Sequence, residues 1–234
     1  MQNNSQPLGT TNWFQGNPKI FLARDGGPDS YIAADYNNGN GVATISNWLL
    51  TPVLRLQNGA TLTFFTRTVD KPQLADRLQV RMSTNGASTN VGTTATDVGD
   101  FTVLLLDINP TYTLNGYPTV WTQFSVTLSG LPPGITSGRL AFRYFVENGG
   151  PLGANSDYIG IDTMAYTCPG ATVTPTPTPR VTPTPRPRPT PRPRPTRAHD
   201  LRVKSAPVSR QWLASLLVGA PVLCDSAHCN ALPT

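Results

Sequence analysis

Residues 173–196 constrain the fold more than any other part of the chain, because proline occupies nearly every second position there. Proline has a fixed φ and no backbone N–H, so this segment forms neither a helix nor a strand ladder, and polyproline II is its natural conformation. At about 3.1 Å per residue, such a segment would span roughly 70–75 Å as a semi-rigid spacer. The sequence therefore predicts a folded domain over residues 1–168, a Pro/Thr/Arg-rich linker over 169–197 and a disordered tail over 198–234.

The charge of the chain changes sign at the same boundary. Residues 1–170 hold nine Lys and Arg against eleven Asp and Glu, a net charge of −2, whereas residues 171–234 hold nine against two, a net charge of +7. A nucleic-acid-binding domain normally presents a basic face on its folded part. Because the folded part of this chain is slightly acidic, we predict no nucleic-acid partner.

Apolar and polar residues alternate with a period of two along several segments of the predicted domain. The clearest are Asp76–Ser83 and Arg139–Val146, where an apolar residue recurs at every second position, the pattern of a strand with one buried face. Turn-forming pairs such as Asn58-Gly59 separate these segments. About eight strands of this kind predict an all-β fold, a jelly-roll-like antiparallel β-sandwich. Two long loops, Asn85–Asp100 and Asp107–Val120, are where we expect function to lie.

The residue types that catalysis needs are scarce in the predicted domain. Both histidines of the chain, His199 and His228, lie in the tail, so residues 1–168 can form neither a Ser-His-Asp arrangement nor a His-ligated metal site. Glu147 is the only glutamate, and no two aspartates form the paired-carboxylate motif that glycoside hydrolysis generally needs. We therefore predict that the protein is not an enzyme.

Oxygen-rich side chains near two predicted strands suggest a structural calcium ion. Asp35 and Asn37 follow one strand, Asp157 precedes the last strand, and Asp162 lies within that strand. Hard oxygen ligands from separate loops suit Ca²⁺, although Asx residues also build turns without a metal. A carboxylate inside an apolar strand needs a partner, so the alternatives for Asp162 are a structural metal and a buried hydrogen-bond role. These four residues are the predicted metal ligands.

Aromatic residues in loops are candidates for ligand binding. Tryptophan is a core residue by default, but Trp13 lies in a polar segment near the start of the chain and is the tryptophan that we most expect to be exposed. Tyr112 and Tyr117 lie in the second long loop. An exposed aromatic ring offers an apolar surface with a polar edge. We therefore predict that these three residues bind a glycan or a surface protein.

The two ends of the chain bear on its location. Trp212–Leu223 is apolar, but twelve residues are too few to cross a bilayer, which needs about twenty. We therefore predict no transmembrane segment. The N-terminus carries no secretory signal, which taken alone would indicate a cytoplasmic protein.

Several short motifs follow one another in an order that resembles a known family. The motifs are Ser46–Pro52, Gly59–Phe65, Asp76–Gly86, Trp121, Gly138–Tyr144 and Tyr158–Asp162. Together they resemble the choice-of-anchor J domain, which is related to the cleaved adhesin (hemagglutinin-type) domains that accompany gingipain proteases. The resemblance covers residues 4–168, nearly the whole predicted domain.

This resemblance implies a jelly-roll β-sandwich on secreted or surface-anchored bacterial proteins. Some relatives bind calcium, and some adhesin members bind host proteins, haem or glycans; the final-strand aspartate of the family corresponds to Asp162. The opening strand of many family members has no counterpart before Asn3. We therefore expect that part of the first strand and an export signal are missing from this N-terminus.

The residues and the resemblance together predict a non-catalytic, extracellular binding or adhesion module, either secreted or on the bacterial cell surface. Its ligand is expected on the long loops. The alternatives are a structural domain of a secreted or surface assembly, and an accessory domain of a secreted hydrolase.

Overall fold

The computed structural model describes residues 1–169, so the predicted linker beyond Pro169 and the predicted tail lie outside the described residues. The described residues form twelve β-strands and one turn of 3-10 helix at Tyr36–Asn38. The strands are β1 (Gln2–Asn3), β2 (Gln6–Leu8), β3 (Phe14–Gln15), β4 (Ile32–Asp35), β5 (Gly39–Leu50), β6 (Leu54–Leu56), β7 (Thr61–Thr68), β8 (Leu78–Ser83), β9 (Val103–Ile108), β10 (Thr122–Thr127), β11 (Thr136–Gly149) and β12 (Tyr158–Thr167). None of the helical structure in residues 1–169 is long and apolar enough to span a membrane.

The strands form two sheets whose neighbouring strands run antiparallel. The seven-stranded sheet has the order β1-β5-β11-β8-β9, with β2 also paired to β5 and β6 to β11. The five-stranded sheet has the order β10-β7-β12-β4-β3. One apolar core joins residues from both sheets. The predicted all-β antiparallel sandwich is therefore confirmed.

The alternation of apolar and polar residues decides which side chains enter the core. Leu78 and Val80 of β8 and Phe142 of β11 are buried between the sheets. The ring of Phe142 meets that of Phe64 from β7 edge-on, with 4.9 Å between the centroids. Burying one side chain of this size stabilises the fold by about 1.5–3 kcal/mol. The residues that alternate with them, such as Arg77 and Gln79, consequently point to the outer face of the seven-stranded sheet.

The first long loop lies against that outer face. Val91 from the loop and Phe101 directly after it pack with Trp48 and Ala141 of the sheet in a separate apolar cluster. Two arginines of the sheet donate to loop carbonyl oxygens, Arg139 to Ala87 and Arg143 to Ala95, and Arg81 donates to that of Phe101. The inner side of the loop Asn85–Asp100 is therefore fixed to this face, while residues such as Asn85, Thr89 and Asn90 stay exposed on its outer side.

The outer face of the five-stranded sheet has a different cover, formed by residues 16–31. Phe21 and Tyr31 pack with Tyr158 and Trp121 in an aromatic cluster. A Cβ atom added to Gly160 of β12 would meet three of these rings at 2.9 Å. The rings thus lie directly on the strand backbone, which only glycine allows at this position.

Candidate functional site

Two of the three predicted ligand-binding aromatics lie in the core. Trp13 is 4% exposed, and its Nε1 donates to the backbone oxygen of Asn47 at 3.2 Å. Tyr117 is 2% exposed, with its hydroxyl 2.7 Å from Thr66 Oγ1. Neither ring can stack on an external ligand, so the expected exposure of Trp13 and the binding role of Tyr117 are wrong. Local polarity misled the prediction for Trp13, because its polar neighbour Thr11 is hydrogen-bonded within the domain and holds the segment over the core.

Tyr112, the third predicted residue, lies partly exposed on the outer face of the seven-stranded sheet. Its hydroxyl accepts hydrogen bonds from Arg77 Nη1 at 3.1 Å and from the Glu147 backbone N–H at 3.0 Å, and it donates to Glu147 Oε2 at 3.2 Å. Its φ of 53° lies in the left-handed region, where bulky residues are rare and often functional. Burial raises the pKa of the hydroxyl, which keeps it protonated at neutral pH.

The loop that carries Tyr112 is held in shape by Asn109. The Asn109 amide nitrogen donates to the backbone oxygens of Asp76 and Thr113, and its amide oxygen accepts from the Thr113 N–H. Asn109 and Asn115 are also left-handed, with φ of 59° and 65°, a conformation that asparagine tolerates better than most residues. The loop therefore presents Tyr112 in a fixed position.

An ion pair between neighbouring strands lies beside Tyr112. Arg77, just before β8, donates from Nε at 2.9 Å and from Nη2 at 2.7 Å to the two carboxylate oxygens of Asp107 on β9. Such a bidentate pair fixes the plane of the guanidinium group. Its hydrogen bonds to Asp107 raise the pKa of Arg77 above the usual value. Glu147 Oε2 lies 3.6 Å from Arg77 Nη1, and the Glu147 side chain is 55% exposed.

Gln79 extends this network to two further arginines. Its amide nitrogen donates to Asp107 Oδ2 at 3.0 Å. Its amide oxygen accepts from Arg81 Nε at 2.9 Å and from Arg143 Nη1 at 3.4 Å. Gln79 is buried, whereas Arg81 is partly exposed. One neutral oxygen atom therefore lies between two guanidinium groups.

Arg143 is 1% exposed and sits between two aromatic rings. Its guanidinium carbon lies 3.9 Å from the centroid of Phe145 and 4.7 Å from that of Trp48. Besides Gln79, it donates to Ser46 Oγ and to the backbone oxygen of Ala95. These acceptors are all neutral.

The pKa of Arg143 reflects this lack of a counter-ion. Burial, followed by the positive charges of Arg81 and Arg77, lowers it to about 9. Burial also lowers the pKa of Arg81. A buried cation is normally paired with a carboxylate, and within residues 1–169 neither Arg81 nor Arg143 forms an ion pair.

The four predicted metal ligands do not converge on one point. Asp35 and Asn37 are neighbours in one turn, where both Asp35 oxygens accept from Asn37. Asp157 precedes β12, and Asp162 lies four residues beyond Tyr158, the residue that pairs with Asp35. Asp162 is thus about 13 Å from Asp35 along the strand. Within residues 1–169, no group of three or more His, Cys, Asp or Glu residues is close enough to hold a metal.

The surroundings of Asp162 match the hydrogen-bond alternative. Its Oδ2 accepts from the backbone N–H groups of Arg24 at 2.8 Å and Asp25 at 3.3 Å. Its Oδ1 accepts from the backbone N–H of Thr163 at 2.6 Å. N–H donors pointing at a carboxylate stabilise that anion, so hydrogen bonds within the domain give Asp162 the partners that a carboxylate in an apolar strand needs. Calcium binding by the chain stays a prediction, which melting with and without a chelator would check.

Asp76 is a fully buried carboxylate that the sequence did not single out. The hydroxyl of Tyr144 and the backbone N–H of Asp157 donate to its Oδ1 at 2.5 and 2.8 Å, and Thr68 Oγ1 lies 2.6 Å from its Oδ2. Burial raises its pKa to about 6. In the sequence, Asp76 is marked only by its position at the start of an alternating segment. Many aspartates in turns hold a similar position, so the position did not identify Asp76 as a buried carboxylate.

Comparisons with known proteins found similar structures at low sequence identity. No protein-family model and no curated protein matches the chain. One cleaved adhesin domain of Lys-gingipain from Porphyromonas gingivalis is 24% identical, with a TM-score of 0.46 over 70% of this chain and 87% of that one. Another from the same protein is 20% identical, with a TM-score of 0.42 over 71% and 91%. A carbohydrate-binding module of the β-sandwich superfamily is 13% identical, with a TM-score of 0.41 over 71% and 56%.

Proposed function

We propose that the described domain is a non-catalytic, extracellular binding or adhesion module that binds its ligand on the Tyr112 face. The Tyr112 face is the outer surface formed by Arg77, Gln79, Arg81, Asp107, Tyr112 and Glu147. The observation that carries the proposal is the backbone of Tyr112, a partly exposed aromatic residue with a φ of 53° whose hydroxyl is held by charged neighbours. A strained residue persists only where its surroundings hold it, and such residues cluster at binding sites.

The chemistry of the Tyr112 face suits a carbohydrate or a polar protein surface. Guanidinium and carboxylate groups supply planar donors and acceptors for hydroxyl and amide partners. The ring of Tyr112 supplies apolar area next to them. Because strands β8 and β9 and the Asn109 turn hold these groups in place, little ordering is needed on binding, which favours affinity.

The non-catalytic part of the proposal is supported by the position of the most perturbed carboxylate. A general acid needs a raised pKa and access to the substrate. Asp76 has a pKa of about 6 but is sealed between the sheets at 1% exposure.

A glycan array followed by calorimetry tests the proposal. Tyr112→Ala should weaken the best glycan ligand at least about tenfold, because an aromatic contact and the hydrogen bonds of its hydroxyl are lost. Tyr36→Ala is the matched control, since Tyr36 is exposed and lies in a different loop. An array with no ligand, or equal binding by both variants, would contradict binding at the Tyr112 face.

A structural role in an assembly is the second candidate, favoured by exposed apolar residues at one end of the sandwich. Leu8 pairs with Gly39, and the Leu152 N–H donates to the backbone oxygen of Gly41. Leu8, Val42 and Leu152 all expose more than half of their surface. Light scattering of the purified chain tests this role: a dimer that Leu152→Ser dissociates would support it, and a monomer at all concentrations would not.

The extracellular location belongs to the same proposal. It is supported by the stalk-like composition of residues 169–197 and by the resemblance to the choice-of-anchor J domain. Antibody labelling of intact and of permeabilised cells of the source organism would check it. Signal from permeabilised cells alone would place the chain inside the cell and overturn this part.

A further inference from the structure

The Tyr112 face and the buried Arg143 beneath it together hold more positive than negative charge. Arg77 and Arg81 on the face, with Arg143 below them, stand against Asp107 and Glu147. Both carboxylates lie next to Arg77, one in a bidentate pair and the other at 3.6 Å. The other two arginines are left with neutral acceptors.

The oxygen of Gln79 marks the centre of this uncompensated charge. Arg81 and Arg143 both donate to it, from 2.9 and 3.4 Å. An amide oxygen carries only a partial negative charge, and charge-assisted bonds to an anion are roughly twice as strong. Arg81 donates otherwise to the backbone oxygen of Phe101, and its position next to the edge strand β9 leaves it partly exposed. An anion from solvent can therefore reach Arg81, and the positive charge of the buried Arg143 beneath it also attracts that anion.

We propose that the ligand of the Tyr112 face is an acidic polysaccharide, one of whose carboxylate or sulfate groups is bound by Arg81. This inference rests on the proposed glycan-binding function and adds the chemical class of the glycan. Arg77 and Arg81 are four residues apart on an extended strand, about 13 Å. A ligand that contacts both Arg81 and Tyr112 is therefore longer than one sugar ring, so the site takes an oligosaccharide segment.

Calorimetric titration of the full chain with polygalacturonate, dextran sulfate and uncharged dextran tests the inference. We expect the two acidic polymers to bind at least about tenfold more tightly than dextran, and their affinity to fall as salt is added. Comparing the two acidic polymers shows whether carboxylate or sulfate is preferred.

The arginine-rich part of the chain beyond residue 170 also attracts acidic polymers, so variants must isolate the Tyr112 face. Arg81→Gln should weaken acidic polymers about tenfold, whereas Arg55→Gln, at a partly exposed arginine of β6, should not. Leu104→Glu provides a second route that leaves Arg81 in place. Leu104 pairs with Arg81 across β8 and β9 and is 46% exposed, so a carboxylate there should occupy Arg81 and reduce binding of the polymers. Leu104→Gln is its uncharged control.

The possible outcomes separate this inference from the proposed function. Acidic binding that neither Arg81→Gln nor Leu104→Glu weakens would overturn the acidic-glycan inference, because the rest of the chain would account for it. Equal binding of acidic and neutral polymers, lost in Tyr112→Ala, would also overturn it but leave the proposed function standing. Binding of no glycan, charged or neutral, would overturn both.

Discussion

Both outer faces of the sandwich are covered by loop residues, but the chemistry of the two covers differs. Residues 16–31 lay aromatic rings on the five-stranded sheet, and each arginine there has a carboxylate of its own, Arg24 with Asp25 and Arg67 with Asp70. On the seven-stranded sheet, Arg81 and Arg143 have only neutral partners.

This difference indicates that the outer face of the five-stranded sheet stabilises the fold and that of the seven-stranded sheet binds a ligand. On the five-stranded sheet, burial of the aromatic rings stabilises the fold, and both arginines have a carboxylate partner. This face therefore needs no external ligand to balance its charge. A face with unpaired guanidinium groups costs stability, since a buried cation loses its hydration. Such a face is explained if an anionic partner supplies the missing charge. We therefore expect changes on the first face to affect stability and changes on the second to affect binding.

The largest expected effect is on the aromatic face. Phe21→Ala should lower the free energy of unfolding by about 3–5 kcal/mol, the usual loss for a buried phenylalanine, because its ring packs on Tyr31, Trp121 and Tyr158. Leu22→Ala is the matched control next to it, as Leu22 is exposed and should cost less than about 0.5 kcal/mol. Denaturant unfolding measures both. If Phe21→Ala instead left stability unchanged and weakened glycan binding, the assignment of roles to the two faces would be reversed.

Burial raises the pKa of Asp76, the carboxylate between the sheets. Thr68 Oγ1 lies within hydrogen-bond distance of both Asp76 Oδ2 and the backbone oxygen of Tyr158, at 2.6 and 2.9 Å. A hydroxyl has one proton, so both contacts are satisfied only when Asp76 is protonated. This geometry agrees with the pKa of about 6.

The resulting prediction concerns the pH dependence of stability. Because the pKa of Asp76 is raised from 3.8 to about 6 on folding, its protonation stabilises the folded state fully below about pH 4, and this stabilisation is lost as the pH rises through 6. The free energy of unfolding should therefore fall by up to about 3 kcal/mol between pH 4 and pH 7.5. Asp76→Asn, which imitates the protonated form, should flatten this dependence. Equal slopes for the variant and the unchanged chain would contradict the assignment.

The sequence predicts the long strands well because they carry a periodic pattern. Asp76–Ser83 alternates clearly, and β8 occupies Leu78–Ser83. Strands of two or three residues, such as β1 and β3, have no measurable period and were not predicted. They form because tertiary contacts align them with longer strands, as Gln2 pairs with Trp48 of β5.

The candidate site was predicted only in part, for a related reason. Tyr112 and Tyr117 lie in the same loop and have the same local character, yet one is partly exposed and the other is in the core. The alternation of apolar and polar residues along β8 predicts which of its side chains lie on the polar side of the sheet. The meeting of Arg81 and Arg143 at Gln79 could not be predicted, because it depends on the register between β8 and β11, which no local pattern specifies.

The smallest expected change in stability concerns Arg143, on the outer face of the seven-stranded sheet. Its substitution distinguishes most directly between a structural role and a binding role of that face. Arg143→Met removes a buried cation without a counter-ion, which is favourable, but takes away the side-chain donor of the Ala95 oxygen and one of the two donors of Ser46 Oγ, which is unfavourable. These effects oppose each other, so we expect the free energy of unfolding to change by less than about 1 kcal/mol. Binding of acidic glycans should weaken, because the positive charge beneath Arg81 is lost.

Arg139→Met is the control. It removes another hydrogen bond that holds the same loop and should leave binding unchanged. If Arg143→Met destabilised the domain by several kcal/mol with binding intact, Arg143 would serve to hold the loop, and the two faces would both be structural.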